Sequence, residues 1–130
     1  MAIEHTLSFG WQSGSGTPLS ASVVVSSEGE DNREVTVPLA TNDVEVAIAF
    51  VLASLKSIYI LSDKDVTLET NSASAPDNTF ALKANKPFVW YSDSGVLNPF
   101  LTNPVTKFFF SNAGAANATV KIKCLKDSTP

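Results

Sequence analysis

From its third residue the chain alternates between apolar and polar side chains. Ile3, His5, Leu7, Phe9 and Trp11 fall on one side, and Glu4, Thr6 and Ser8 on the other. A period of two puts successive side chains on opposite faces of an extended backbone, so this pattern predicts a strand with one buried face. Residues 12–16, Gln-Ser-Gly-Ser-Gly, form a flexible turn. Leu19, Ala21, Val23 and Val25 then alternate with Ser20, Ser22 and Ser26, although Val24 blurs the second face. Residues 28–33 have the small and charged side chains of a connection. Val35, Val37 and Leu39 resume the two-residue period, and Pro38, which has no N–H to give a ladder, pushes this strand toward a sheet edge.

Residues 44–61 also satisfy a helical stripe through Val44, Ala47, Ile48, Val51, Leu55 and Ile58. Two strands are favoured. Val44, Val46, Ile48 and Phe50 share one face, β-branched residues are frequent, and residues 53–56 suit a one-turn connection before a strand at 57–61. Further strands are expected at residues 65–70, from Phe80 to Leu82, and at 86–91, 105–111 and 119–125, with residues 71–78 as a loop. About ten short strands with frequent turns, no long amphipathic helix and no internal repeat predict an all-β, antiparallel β-sandwich. A jelly-roll-like order is the first choice and an immunoglobulin-like sandwich the second. The 130 residues are read as a single domain, 1–130. With 44% hydrophobic side chains, a chain of this length builds a core without metal or disulfide staples.

The vocabulary of catalysis is sparse. His5 is the one histidine and sits on the apolar side of the first strand. No G-x-S-x-G elbow occurs, so a serine nucleophile has no base in its motif. Cys124 alternates with Val120 and Ile122 and reads as a small buried hydrophobe. Glu28, Glu30, Asp31 and Glu34, and the pair Asp63 and Asp65, lack the offsets of a calcium loop and read as solvated turns. Gly10, Gly14 and Gly16 are not followed by a phosphate-binding Gly-Lys-Ser/Thr. Asn117-Ala118-Thr119 matches a glycosylation acceptor by chance, and Lys121, Lys123 and Lys126 are read as a stripe that keeps a sheet edge soluble. No catalytic residue, metal site or cofactor is expected, and the chain is not expected to be an enzyme. A formal net charge of −4 is the wrong sign for holding phosphate backbones, so nucleic acid is not an expected partner. Residues 46–55, the longest apolar run, fall well short of a bilayer span, so no membrane partner is expected. The first residues have no signal-peptide pattern, which places synthesis in a cytoplasm.

The aromatic residues carry more information. In Lys107-Phe108-Phe109-Phe110-Ser111 a strand directs Phe108 and Phe110 to the face opposite Phe109. If those two fill the core, Phe109 is exposed unless a covering loop or another subunit packs on it. Phe109, Tyr91 and Trp11 are the candidate intersubunit contacts. A carbohydrate-stacking platform built on Trp90, Tyr91 or Trp11 is the competing use of the same rings.

From residue 55 onward the wording of the chain resembles the small β-rich structural proteins of tailed-bacteriophage virions. The stretches are Leu55-Lys56-Ser57-Ile58-Tyr59-Ile60-Leu61-Ser62-Asp63, Val66-Thr67-Leu68-Glu69-Thr70-Asn71 and Phe80-Ala81-Leu82-Lys83-Ala84-Asn85-Lys86-Pro87. Asn98-Pro99-Phe100, Val105-Thr106-Lys107 and Leu125-Lys126-Asp127 continue it. The family's turn carries glycine where Asn85 stands here, and asparagine tolerates the left-handed conformation such a turn requires. The resemblance implies a capsid-associated virion component, with a head decoration or cementing subunit as the first reading and a tail or connector part as an alternative. Its expected partners are the major capsid protein or other virion proteins, and other copies of itself, a trimer being preferred. A carbohydrate-binding module is the reading from a different class.

Overall fold

The computed structural model describes residues 3–12, 14–100 and 103–127. They form ten strands: β1 (Ile3–Trp11), β2 (Leu19–Ser27), β3 (Gly29–Val37), β4 (Thr41–Phe50), β5 (Leu55–Ser62), β6 (Val66–Thr70), β7 (Thr79–Leu82), β8 (Phe88–Tyr91), β9 (Val105–Asn112) and β10 (Ala118–Lys126). Short 3-10 turns lie at Leu52–Ser54 and Ser92–Ser94. The first of these resolves the helix-or-strand ambiguity of residues 44–61. Val46, Ile48 and Phe50 point inward from β4, and Ser54 Oγ and N both donate to Val51 O, at 2.9 and 3.1 Å, which turns the chain into β5.

All pairings are antiparallel. One four-stranded sheet has the order β3-β10-β5-β8 and the other β4-β9-β6-β7, while β1 and β2 form a separate hairpin. The eight sandwich strands behave as one long ribbon: β3 pairs with β10, β4 with β9, β5 with β8 and β6 with β7. The ribbon then curls so that β10 also meets β5 and β9 also meets β6. This is the double-sheet order of a jelly roll. An immunoglobulin-like order would keep consecutive strands together in one sheet; here, within the ribbon, only β6 and β7 are neighbours in both chain and sheet.

The core fills the space between the sheets. Val37, Ile58, Ile60, Trp90, Val120, Ile122 and Cys124 face it from one side, and Val46, Ile48, Phe50, Leu68, Leu82, Phe108 and Phe110 from the other. Phe100, in the connection between β8 and β9, is fully buried among them, with ring centroids 5.2 Å from Phe50, 5.6 Å from Phe80 and 6.0 Å from both Phe88 and Phe108. Asn85 adopts φ 61°, the left-handed turn conformation anticipated for it. Asn71, at φ 69°, ties the β6–β7 loop to the start of β9: its amide nitrogen donates to Pro104 O at 2.8 Å, and its side-chain oxygen accepts from Thr106 N at 2.7 Å.

Two expectations need correction. Most of the charged stretch 28–33 is strand, because β3 begins at Gly29 and pairs along its whole length with β10. Glu34 stands opposite Lys121, and Arg33 Nε donates to Asp31 Oδ1 at 2.6 Å, so the charges are answered within the sheet. The lysine stripe lies on β10, which is central, and β3 is the true edge; it ends at Val37, just before Pro38. Leu39 therefore lies outside the strand and is exposed.

Phe100→Ala empties the meeting point of four rings without breaking a strand. The expected outcome is a loss of about 3–5 kcal/mol of unfolding free energy, read from urea denaturation with the m-value unchanged.

Candidate interaction surface

The hairpin extends the alternation seen in the sequence into three dimensions. Its register sets Ile3 opposite Ser27, His5 opposite Val25, Leu7 opposite Val23, Phe9 opposite Ala21 and Trp11 opposite Leu19. One face is consequently apolar from Leu7 and Val23 to Trp11 and Leu19, with His5 and Ser27 as its polar members toward the base, and the other carries Glu4, Thr6, Ser8, Ser20, Ser22 and Ser26, with Val24 as an exposed exception. The base of the stripe is covered. β2 lies over β5 and β10, and Val25 and Ser27 are buried there. Leu125 and Ser57, which alternate with the core residues Cys124 and Ile58 and so point outward, are buried as well. Farther along, Phe9 packs on Tyr91, with ring centroids 5.7 Å apart. At the tip the support ends: Trp11 is 77% exposed and Leu19, directly across the hairpin, 74%.

Between β1 and the outer face of the first sheet runs a cleft of about 570 Å³, whose walls include Leu7, Phe9, Tyr59, Val89, Glu30 and Lys123. At its base His5 Nε2 donates to Glu30 Oε2 at 2.6 Å. The Asn32 amide donates to the other oxygen of Glu30. The hydrogen bond from His5 holds the Glu30 carboxyl below the usual carboxylate range, against the opposing effect of desolvation; the charge of His5, the Asn32 bond and Lys123 act in the same direction as His5.

The three rings singled out in the sequence are divided between two faces. Trp11 and Tyr91 belong to the hairpin side, where Tyr91 is half-buried against Phe9. Phe109 is half-buried on the outer face of the second sheet, flanked in register by Glu45 and Glu69. Lys107 Nζ lies 3.3 Å from Glu45 Oε1 and 5.9 Å from the Phe109 ring centroid, so this aromatic sits in a charged frame. Trp90 faces the core and its Nε1 donates to Val96 O at 2.8 Å, which removes it as a stacking platform. Leu19 was missed as a partner of Trp11. The register across the glycine-rich turn was the available signal, because a hairpin closing over residues 12–18 sets residue 19 opposite residue 11.

Other candidates have structural employment. Asp63 Oδ1 accepts from Thr119 N at 2.7 Å and Asp65 Oδ1 from Ala84 N at 2.8 Å, each fastening a loop. Asn117 Oδ1 accepts from Leu39 N at 3.0 Å. Among the described residues, no three His, Cys, Asp or Glu side chains come together as metal ligands. Burial pushes the Cys124 thiol up to about 12, so the thiolate is scarce at ordinary pH. A soluble thiol reagent at pH 8 is therefore expected to leave the native protein unlabelled and to modify Cys124 only after denaturation, a difference that mass spectrometry of the intact chain reads directly. No protein family, curated protein or solved structure matches this chain.

Proposed function

We propose that this chain is a non-enzymatic structural subunit of a tailed-bacteriophage virion, a decoration or cementing protein that docks on the capsid through its hairpin arm. The observation that carries the reading is the apolar stripe running past its own support to end in Trp11 and Leu19. Trp11, exposed at the end of the hairpin beside Leu19, resembles the aromatic anchors of protein interfaces, which sit in a partner's pocket and supply much of the binding energy. The sandwich behind the arm is a compact carrier with a closed core, and its outer faces offer further modest contacts, Phe109 among them. Several weak contacts per subunit on a symmetric lattice retain a protein far better than one. The virion setting itself rests on the sequence resemblance, since a jelly roll hosts capsid and lectin domains alike.

The carbohydrate-binding alternative keeps Trp11 and loses Trp90 as its platform. A glycan-array signal that vanishes in Trp11→Ala would favour it over the capsid reading.

Two outcomes are expected from particles of a phage encoding this chain. Mass spectrometry of purified virions finds the protein in many copies, and its absence would overturn the proposal. Trp11→Ala, with its thermal midpoint unchanged, binds undecorated capsids about 10-fold or more weakly, as loss of an interface anchor requires.

A further inference from the structure

We propose that the free edge of β1 is a docking slot for an extended segment of another polypeptide chain, which pairs with β1 as a third strand of the hairpin sheet and sets a carboxylate side chain against Lys123. The slot does not depend on the capsid reading.

β1 pairs with β2 along its whole length. In an antiparallel pair alternate residues turn their N–H and C=O toward the partner strand, and those between turn theirs away. Among the described residues, the main-chain groups of β1 that turn away from β2 have no hydrogen-bond partner. Proteins ordinarily guard such edges with charges, bulges or brevity. The sandwich edges follow that rule: β3 carries Glu30, Asp31, Arg33 and Glu34, register shifts interrupt β4, and β7 and β8 have four residues each. β1 has one carboxylate, Glu4, no proline and an unbroken register. The far edge of β2 is bare as well, but the cleft of about 570 Å³ lies on the β1 side, with no residue of β2 in its walls.

The cleft has a floor that suits a strand. His5 reaches Glu30, and Phe9 packs on Tyr91. Glu30, Leu125, Ser57 and Tyr91 stand opposite one another across β3, β10, β5 and β8, so β1 crosses the sheet along this row. Two residues along each strand, on the same outer face, is the row Asn32, Lys123, Tyr59 and Val89, and all four line the cleft. β1 borders the cleft through consecutive residues from Glu4 to Phe9, drawn from both of its faces, which is how a strand presents its edge. A strand laid beside β1 therefore lies over the second row. That row spans three strand spacings, about 14 Å, and side chains i, i+2 and i+4 of a strand span about 13 Å.

Charge selects the occupant. Glu30 is engaged by His5 and Asn32. Lys123 acts on Glu30 only at longer range and, among the described residues, makes no hydrogen bond or ion pair. The complementary strand thus carries Asp or Glu against Lys123 and apolar side chains at the next two floor-facing positions, over Tyr59 and Val89. A second copy of this chain fits less well. Antiparallel pairing of β1 with its own copy needs a two-fold axis perpendicular to the sheet, which brings both sandwiches to the side where the floor already stands.

NMR titration of the isotope-labelled chain with the end-blocked peptide Thr-Glu-Thr-Val-Thr-Val-Thr tests the slot. Saturable shifts are expected in the β1 amides and at Lys123, Tyr59 and Val89, with β7 and β9 unmoved. Exchanging the peptide's glutamate for lysine is expected to weaken binding about 2- to 5-fold, the range of one partly exposed ion pair, and Lys123→Glu to reverse that preference. N-methylation of alternate peptide residues removes the donors of one edge. One alternate set is expected to abolish binding and the other to preserve it, because a single edge faces β1. The wild-type titrations decide the matter even where Lys123→Glu fails to fold. Absence of saturable β1 shifts at about 5 mM peptide, where a millimolar affinity is already visible, overturns the slot. Binding indifferent to the peptide's charge or to both methylated sets overturns it too. β1 shifts that depend on protein concentration without peptide assign the edge to a second copy and overturn the proposed occupant.

Discussion

Six phenylalanine rings, Phe50, Phe80, Phe88, Phe100, Phe108 and Phe110, form one connected series of contacts with centroid separations from 5.0 to 6.4 Å. Phe88 comes from one sheet, Phe50, Phe80, Phe108 and Phe110 from the other, and Phe100 from a loop. Most of the pairs meet edge to face, the arrangement in which the positive rim of one ring lies on the negative face of the next. Because these rings knit the two sheets and the longest loop together, the sandwich closes on itself without help from the hairpin. The arm is thereby released from any duty in the core.

That division separates what alternation can announce from what it cannot. The two-residue period located most of the strands, and it correctly turned Phe108 and Phe110 inward with Phe109 outward, because pleat geometry is local. Pro38 pointed separately to a sheet edge, and β3 is an edge strand, although it ends at Val37, before the proline. The polar residues 30–34 were illegible as strand for a nonlocal reason: their suitability depends on Lys121 and Lys123, far along the chain, lying opposite Glu34 and Asn32. The central position of β10 depends likewise on how the ribbon curls.

The hairpin presents the same limit in another form. Ile3, His5, Leu7, Phe9 and Trp11 look alike as a pattern, yet the structure covers the first of them and abandons the last. A period of two says that a face is apolar and nothing about where its cover stops. The cover here is set by Leu125 and Ser57, two outward-pointing residues of the sandwich that lie beneath β2, and by Tyr91 beneath Phe9. His5 acquires its partner through the same placement: Glu30, the second residue of β3, lies twenty-five positions away in sequence and within hydrogen-bond distance in space.

The crossing at Glu28 and Gly29 explains why a hairpin arm and a sandwich can coexist in so short a chain. β2 and β3 are consecutive, but each is committed to a different sheet, so the backbone must change direction within one residue. Gly29 makes this possible because the backbone of Lys126 passes where its Cβ would stand. A larger residue would force β3 away from β10 at its first pair, loosening the ladder that closes the ribbon. The tight crossing thus preserves the pairing of the sandwich while leaving the apolar face of the hairpin covered at its base by the molecule's own surface and exposed at its tip, at Trp11 and Leu19.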